Sequence, residues 1–195
     1  MATNIPPSID SDVYSSDVRN GPAVAAVSWS AIFAGTVAAV ALTLILVTIG
    51  SAFGLATVSP WPGVGPAPAT FSIAAGVWLI VTQWLSSAAG GYLAGRLRVR
   101  WHGLHTDEVF FRDTAHGLLT WATATVVIAT VAVAASALSN IAATPVDVDM
   151  SKDAIDAARK TAAVVAGFTG LSLLVGAFVG AVAGAIGGRL RDLHP

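Results

Sequence analysis

The chain has 195 residues, a net charge of −1, 55% hydrophobic residues and only 11% charged residues, with a mean hydropathy of +0.74. Soluble domains carry about 25% charged residues, so the composition excludes an ordinary soluble domain. The near-neutral charge provides no basic face for nucleic acid. The absence of cysteine excludes disulfides, thiolate nucleophiles and cysteine-based zinc sites.

Long uncharged stretches predict transmembrane helices. Asp, Glu, Lys and Arg are all absent from residues 20–95, 114–146 and 161–188. A helix needs about 20 apolar residues to cross a hydrocarbon core of about 30 Å. The first stretch therefore holds two spans and each of the others holds one, which predicts an all-α membrane protein with four transmembrane helices.

The boundaries of these stretches divide the chain into a tail, two hairpins and a loop. The polar tail has the composition of a disordered segment. In chain order we predict a disordered cytoplasmic tail at 1–21, a first transmembrane hairpin at 22–96, a cytoplasmic loop at 97–113, a second transmembrane hairpin at 114–190 and a cytoplasmic C-terminus at 191–195.

Local signals predict where the helices begin. The first helix is expected to start at Pro22, because proline is favoured in the first turn of a helix. Asp113 or Thr114 is expected to cap the third helix, and Ser151 the fourth, because these side chains accept hydrogen bonds from the first free backbone N–H groups.

Arginines set the predicted orientation. They lie between the second and third helices and after the fourth, which is one face of a four-span protein. The positive-inside rule then places both termini in the cytoplasm of a bacterial inner membrane. In the first interpretation these side chains set the topology and extend their charged ends to the membrane interface. In the alternative they bind an anionic lipid head group. They are Arg96, Arg98, Arg100, Arg189 and Arg191.

One motif occurs twice. Residues 91–98 read GYLAGRLR and residues 184–191 read GAIGGRLR, so that Gly95 and Gly188 are 93 residues apart. Trp29 and Trp121, near the starts of the first and third helices, are 92 apart. These nearly equal offsets predict a tandem duplication of a two-helix hairpin, with both copies in the same orientation.

Small residues at four-residue spacing predict close packing of the second and fourth helices. In lipid, such stripes let two backbones approach and gain van der Waals contact, within one chain or between chains. The residues of the two stripes are Ser87, Gly91, Gly95, Gly176, Gly180, Gly184 and Gly188.

The loop between the hairpins holds the highest density of reactive side chains. The first interpretation is structural: Glu108 pairs with Arg112, and the acids cap and stabilise helix starts. Metal binding and acid–base catalysis are the alternatives, although the spacing matches no metal motif. We therefore predict no cofactor, no metal site and no catalytic residue. The weak metal candidates are His102, His105, Asp107, Glu108, Asp113 and His116.

Polar residues are sparse near the middle of the predicted spans. Gln83 is the strongest of them, and it is expected to make an interhelical hydrogen bond, with pore lining as the alternative. Thr43, Thr125 and Thr130 add hydroxyl groups.

Three short motifs carry a resemblance to a known family. SWSAIFAG in the first helix, AGRLR at the end of the second and HGLLTWATAT at the start of the third resemble a family of small bacterial integral membrane proteins, some of them labelled PhnA-like. The resemblance implies a multi-span protein of the inner membrane, and it implies no activity.

The expected function is therefore a structural or accessory role, without enzymatic activity, in which the protein packs with itself, with partner membrane proteins or with lipids. The alternative is a small oligomeric channel or transporter, for which Gln83 and the threonines would have to face water. A weaker alternative is a metal-responsive membrane protein that uses the loop between the hairpins.

Overall fold

The structure, a computed structural model, describes residues 26–59, 65–101, 103–142 and 151–193. Four helices make up most of this part of the chain, and it contains no strand. Each helix is long and apolar enough to cross a membrane, as predicted, and this is the architecture of a multi-pass membrane protein. The helices are α1 (Trp29–Thr57), α2 (Pro68–Leu97), α3 (Thr106–Ala142) and α4 (Lys152–Leu193).

Some predicted features lie outside the described residues. They are the tail at 1–21, His102 and the last two residues of the predicted C-terminus.

Two helices begin at other residues than predicted. α1 begins at Trp29, after the non-helical residues 26–28, and Pro22, where its start was predicted, lies outside the described residues. α3 begins at Thr106, so the loop predicted for 97–113 is shorter and Asp113 lies inside a helix instead of capping one. The start of α1 and the burial of Asp113 both involve contacts between distant parts of the chain, described below. The predicted cap of α4 is confirmed, since the Ala154 N–H donates to Ser151 Oγ at 3.3 Å.

α2 lies at the centre of the bundle and packs against the other three helices, most extensively against α4. Gly76 of α2 faces Phe168 of α4, and Gly95 of α2 faces Gly184 of α4, so the two helices run in the same direction. α1 and α3 run in the opposite direction. The arginine end of the bundle is the end where α2 and α4 finish and where α1 and α3 begin.

Helix backbones are in direct contact near the arginine end. A Cβ atom on Gly91 would overlap the carbonyl oxygen of Gly180, and one on Gly95 would overlap that of Gly184. A Cβ on Gly117 of α3 would also overlap the carbonyl oxygen of Gly180. α2 and α3 therefore both approach α4 at a distance that only glycine permits.

The opposite half of the bundle is open. Residues 126–139 of α3 and 151–171 of α4 are exposed along their whole length, apart from half-buried Ile128 and Phe168. α3 and α4 are thus closely packed near the arginine end and exposed in their opposite halves.

Candidate functional site

A buried ion pair lies at the arginine end. Arg98 directly follows α2 and is 1% exposed, and Asp113 of α3 is 2% exposed. The Arg98 Nε donates to Asp113 Oδ1, and Nη2 donates to Asp113 Oδ2 at 2.8 Å. This bidentate geometry is the strongest that an arginine and a carboxylate form. Because removing either charge from water is costly, each group needs the other in order to be buried.

Asp192 joins α4 to the same pair. The Arg98 Nη2 also donates to Asp192 Oδ2 at 2.8 Å, and Nη1 donates to the carbonyl oxygen of Val99 at 3.1 Å. Burial alone would lower the pKa of Arg98, but the bonds to Asp113 and Asp192 outweigh it and raise that pKa above its usual range. One permanently charged side chain therefore connects α2, α3 and α4.

Gly188 makes room for this cluster. A Cβ on Gly188 would overlap both carboxylate oxygens of Asp113. A Cβ on Gly184, one turn earlier, would lie 2.6 Å from the backbone oxygen of Asp113. The second copy of the repeated glycine motif is therefore in direct contact with the ion pair.

Trp101 closes the cluster on one side. Its ring centroid lies 4.3 Å from Cζ of Arg98 and 5.3 Å from Cζ of Arg112. The His116 ring packs at 5.5 Å from it, tilted by 58°. A guanidinium over an indole face is an attractive arrangement, and the indole also shields the charged groups from water.

His116 connects α3 to the start of α1. Its ring is 1% exposed. Nε2 accepts the backbone N–H of Ser28 at 2.8 Å, and Nδ1 lies 2.6 Å from the carbonyl oxygen of Arg112. Nε2 must therefore be the bare nitrogen and Nδ1 must carry the proton, which then donates to Arg112. This bond fixes Ser28 immediately before α1, and it explains why the helix begins at Trp29.

Replacing His116 should release the start of α1. In His116→Ala the Ser28 N–H loses its acceptor in a partly buried position, and the free energy of unfolding should fall by about 1–3 kcal/mol. Hydrogen exchange at residues 28–31 should become faster. His105→Ala is the matched control, because His105 is exposed and also lies near the start of α3. Equal exchange in the two variants would contradict this role for His116.

The structure brings together only two of the described metal candidates. Asp113 and His116 lie in the cluster, each bonded to protein partners. The other three described candidates, at the start of α3, have exposed side chains: His105, Asp107 and Glu108. Within the described ranges, no group of three His, Asp or Glu residues is placed to hold a metal ion. The predicted pairing of Glu108 with Arg112 is confirmed, at 2.7 Å.

The five predicted arginines have different environments. Arg98 is buried and held by two carboxylates, so its side chain neither snorkels nor binds a head group, while its predicted contribution to topology stays a prediction. Arg189 is exposed, and Arg96 is half-buried with an Nη1 that has no hydrogen-bond partner among the described residues. Arg100 and Arg191 are partly exposed and both contact Asp192.

Gln83 makes no interhelical hydrogen bond within the described part of the chain, contrary to prediction. Its Nε2 and the Nε1 of Trp121 lie 2.6 Å and 2.8 Å from the position that a Cβ on Gly176 would take. The Trp121 Nε1 is buried and has no hydrogen-bond partner among the described residues. The predicted mid-span hydroxyls bond to their own helices: Thr43 donates to Ala39, Thr125 to Trp121 and Thr130 to Val126.

Sequence reasoning missed Asp192, Trp101 and Ser28. Asp192 directly follows the second GRLR motif, and an acid at that position among arginines was the available signal. Ser28 interacts through its backbone, which leaves no signal in the side-chain pattern.

Comparisons with models of protein families, with curated proteins and with solved structures found no match. The resemblance to the PhnA-like membrane proteins stays a prediction.

Proposed function

We propose that this chain is a non-enzymatic structural protein of the membrane, which presents the open halves of α3 and α4 to a partner helix. The observation that supports this most directly is the contrast between the two ends of α4. Near the arginine end, α4 packs at backbone distance against α2 and α3. Over residues 151–171 the same helix is exposed.

The open part of α4 is suited to contact with another helix. A Cβ on Gly167 or Gly170 would meet nothing within 4 Å, so these glycines are not needed for packing within the chain. Small residues on a helix surface allow a second helix to approach closely in lipid, where apolar burial gives no driving force. A docked helix at this face would gain the contact that α4 gains elsewhere from α2.

The chemistry of the arginine end also suits a structural role. Asp113 and His116, the two candidates for acid–base chemistry that the structure brings together, are buried and bonded to Arg98, Ser28 and Arg112. Their polar atoms hold helices to one another. Acid–base catalysis requires a group that can reach a substrate, and these groups are directed into the bundle.

Cysteine cross-linking tests the proposal directly, because the native chain has no cysteine. In native membranes, a single cysteine at Gly170→Cys should form a covalent adduct with a second copy or with a partner membrane protein. Ile45→Cys is the control, since Ile45 is 55% exposed on α1, outside the proposed face. If both cysteines react with lipid-soluble thiol reagents and neither forms an adduct, the open face of α4 contacts lipid and the proposal fails.

A further inference from the structure

Three guanidinium groups surround Asp192. Its carboxylate lies 2.8 Å from Nη2 of Arg98, 3.5 Å from Nη1 of Arg191 and 3.8 Å from Nε of Arg100. Arg100 also donates through Nη2 to the backbone oxygen of Asp192 at 2.9 Å. Asp113 is the other carboxylate of the cluster, and Arg98 already occupies both of its oxygens. Two carboxylates thus face three guanidinium groups, and the cluster has one positive charge in excess.

Arg191 is the member with the poorest bonding. Its Nη1 is buried and makes no hydrogen bond among the described residues, and its contact with Asp192 is too long to compensate. Buried donors without an acceptor are costly, so this atom indicates a missing acceptor. The Arg191 side chain is 25% exposed and that of Arg100 is 35% exposed, so a ligand from outside can reach both side chains. Nη1 of Arg191 is itself buried and would have to turn outward to meet that ligand.

The cluster lies where the apolar helix surface ends. The candidate spans end at Leu97 and Leu193, next to the cluster in sequence. Both leucines are exposed, at 56% and 60%, and Leu97 precedes Arg98 and Arg100 on the side of the apolar span. Arg100 lies three residues after the end of one span and Arg191 two residues before the end of the other, so both are expected near the level of the lipid phosphates. A guanidinium binds a phosphate through two parallel hydrogen bonds.

We propose that Arg100 and Arg191 bind the phosphate of an anionic phospholipid, which supplies the acceptor and the negative charge that the cluster lacks. Asp192 does not fully occupy these arginines, because its Oδ2 accepts from Arg98 at 2.8 Å while its Oδ1 is 3.5 Å from Arg191 and 3.8 Å from Arg100. Inorganic phosphate has the same recognition chemistry. The exposed Leu97 favours the lipid, since acyl chains that extend toward the span would cover it.

The test measures phosphatidylglycerol bound to the full chain purified in a neutral detergent, counted by native mass spectrometry across a lipid titration. Arg100→Gln and Arg191→Gln should each weaken binding by about tenfold, the loss expected for a charge-assisted hydrogen bond. Arg191→Lys should weaken it less, because lysine keeps the charge and loses the bidentate geometry. Arg189→Gln is the matched control, an exposed arginine two residues away on the same helix, and it should bind as the native chain does.

Each other outcome overturns the assignment. Equal losses of lipid binding in Arg189→Gln and Arg191→Gln would mean that the anionic lipid is attracted by basic charge in general and not by a specific site. Inorganic phosphate at millimolar concentration that displaces the lipid from the native chain would make this a site for the free ion. If Arg191→Gln does not fold, Arg191→Lys and Arg100→Gln carry the test, and lipid binding equal to the native chain in both would overturn the proposal.

Discussion

Asp113→Ala should lower the free energy of unfolding by about 3–5 kcal/mol, because it leaves the Arg98 guanidinium buried without its main partner. The measurement is an SDS titration in mixed micelles, followed by circular dichroism. Asp153→Ala is the control, since Asp153 is exposed in the first turn of α4 and has the same charge. It should change the free energy of unfolding by less than about 1 kcal/mol.

A double variant separates the ion pair from the packing around it. Arg98→Met combined with Asp113→Leu removes both charges and fills similar volumes, and its loss should be smaller than the sum of the two single losses. Asp192 is 37% exposed, so water can solvate its carboxylate when Arg98 is absent. A loss for Asp113→Ala no larger than that for Asp153→Ala would show that the pair is not buried in the folded protein.

The four helices could be predicted from the sequence because a membrane span is a local property. The stretches without charge are long, and each of them falls on one or two of the observed helices. The end of α2 at Leu97 lies one residue from the predicted Arg96, since charged side chains mark the edge of the apolar region. Ser151 was predicted correctly for the same reason, as a cap depends on neighbouring residues.

The burial of Asp113 inside α3 could not be predicted because it depends on distant residues. An aspartate before an apolar stretch has the signature of an exposed helix cap, and Asp113 was interpreted in that way. In the structure it is inside the helix and buried, because Arg98 neutralises it and Gly188 leaves space for it. Asp113 and His116 are three residues apart, and residues at this spacing share a face of a helix, so their spacing is a sequence signal that points toward the cluster.

The two copies of the glycine–arginine motif lie side by side. Because α2 and α4 run in the same direction, Gly95 of the first copy packs against Gly188 of the second. The arginines that end the copies, Arg98 and Arg191, nevertheless have different roles. Arg98 is buried with two carboxylates, whereas Arg191 is partly exposed and shares one of them. The motif places both arginines at the same end of the bundle, and the number of carboxylates that each arginine contacts makes their environments different.

Gly184→Ala should destabilise the bundle by about 1–3 kcal/mol, the usual cost of overpacking a close contact. Its methyl group would lie 2.6 Å from the backbone oxygen of Asp113 and 2.8 Å from Cα of Gly117, and backbone atoms cannot turn aside as a flexible side chain can. Gly184→Leu should lower the free energy of unfolding further, because its larger side chain would force α3 away from α4 and expose the ion pair to water. The measurement is the same SDS titration, made in a detergent that keeps the protein monomeric.

Gly170→Ala provides the control on the same helix. A Cβ at Gly170 meets nothing within 4 Å. Alanine is a better helix former than glycine by about 0.5–1 kcal/mol, so the monomer should be as stable as the native chain or slightly more stable. Opposite signs for Gly184→Ala and Gly170→Ala would show that the cost comes from contact between helices and not from glycine replacement itself. Equal effects would contradict the backbone contact at Gly184, and with it the explanation of why α4 needs glycine next to the ion pair.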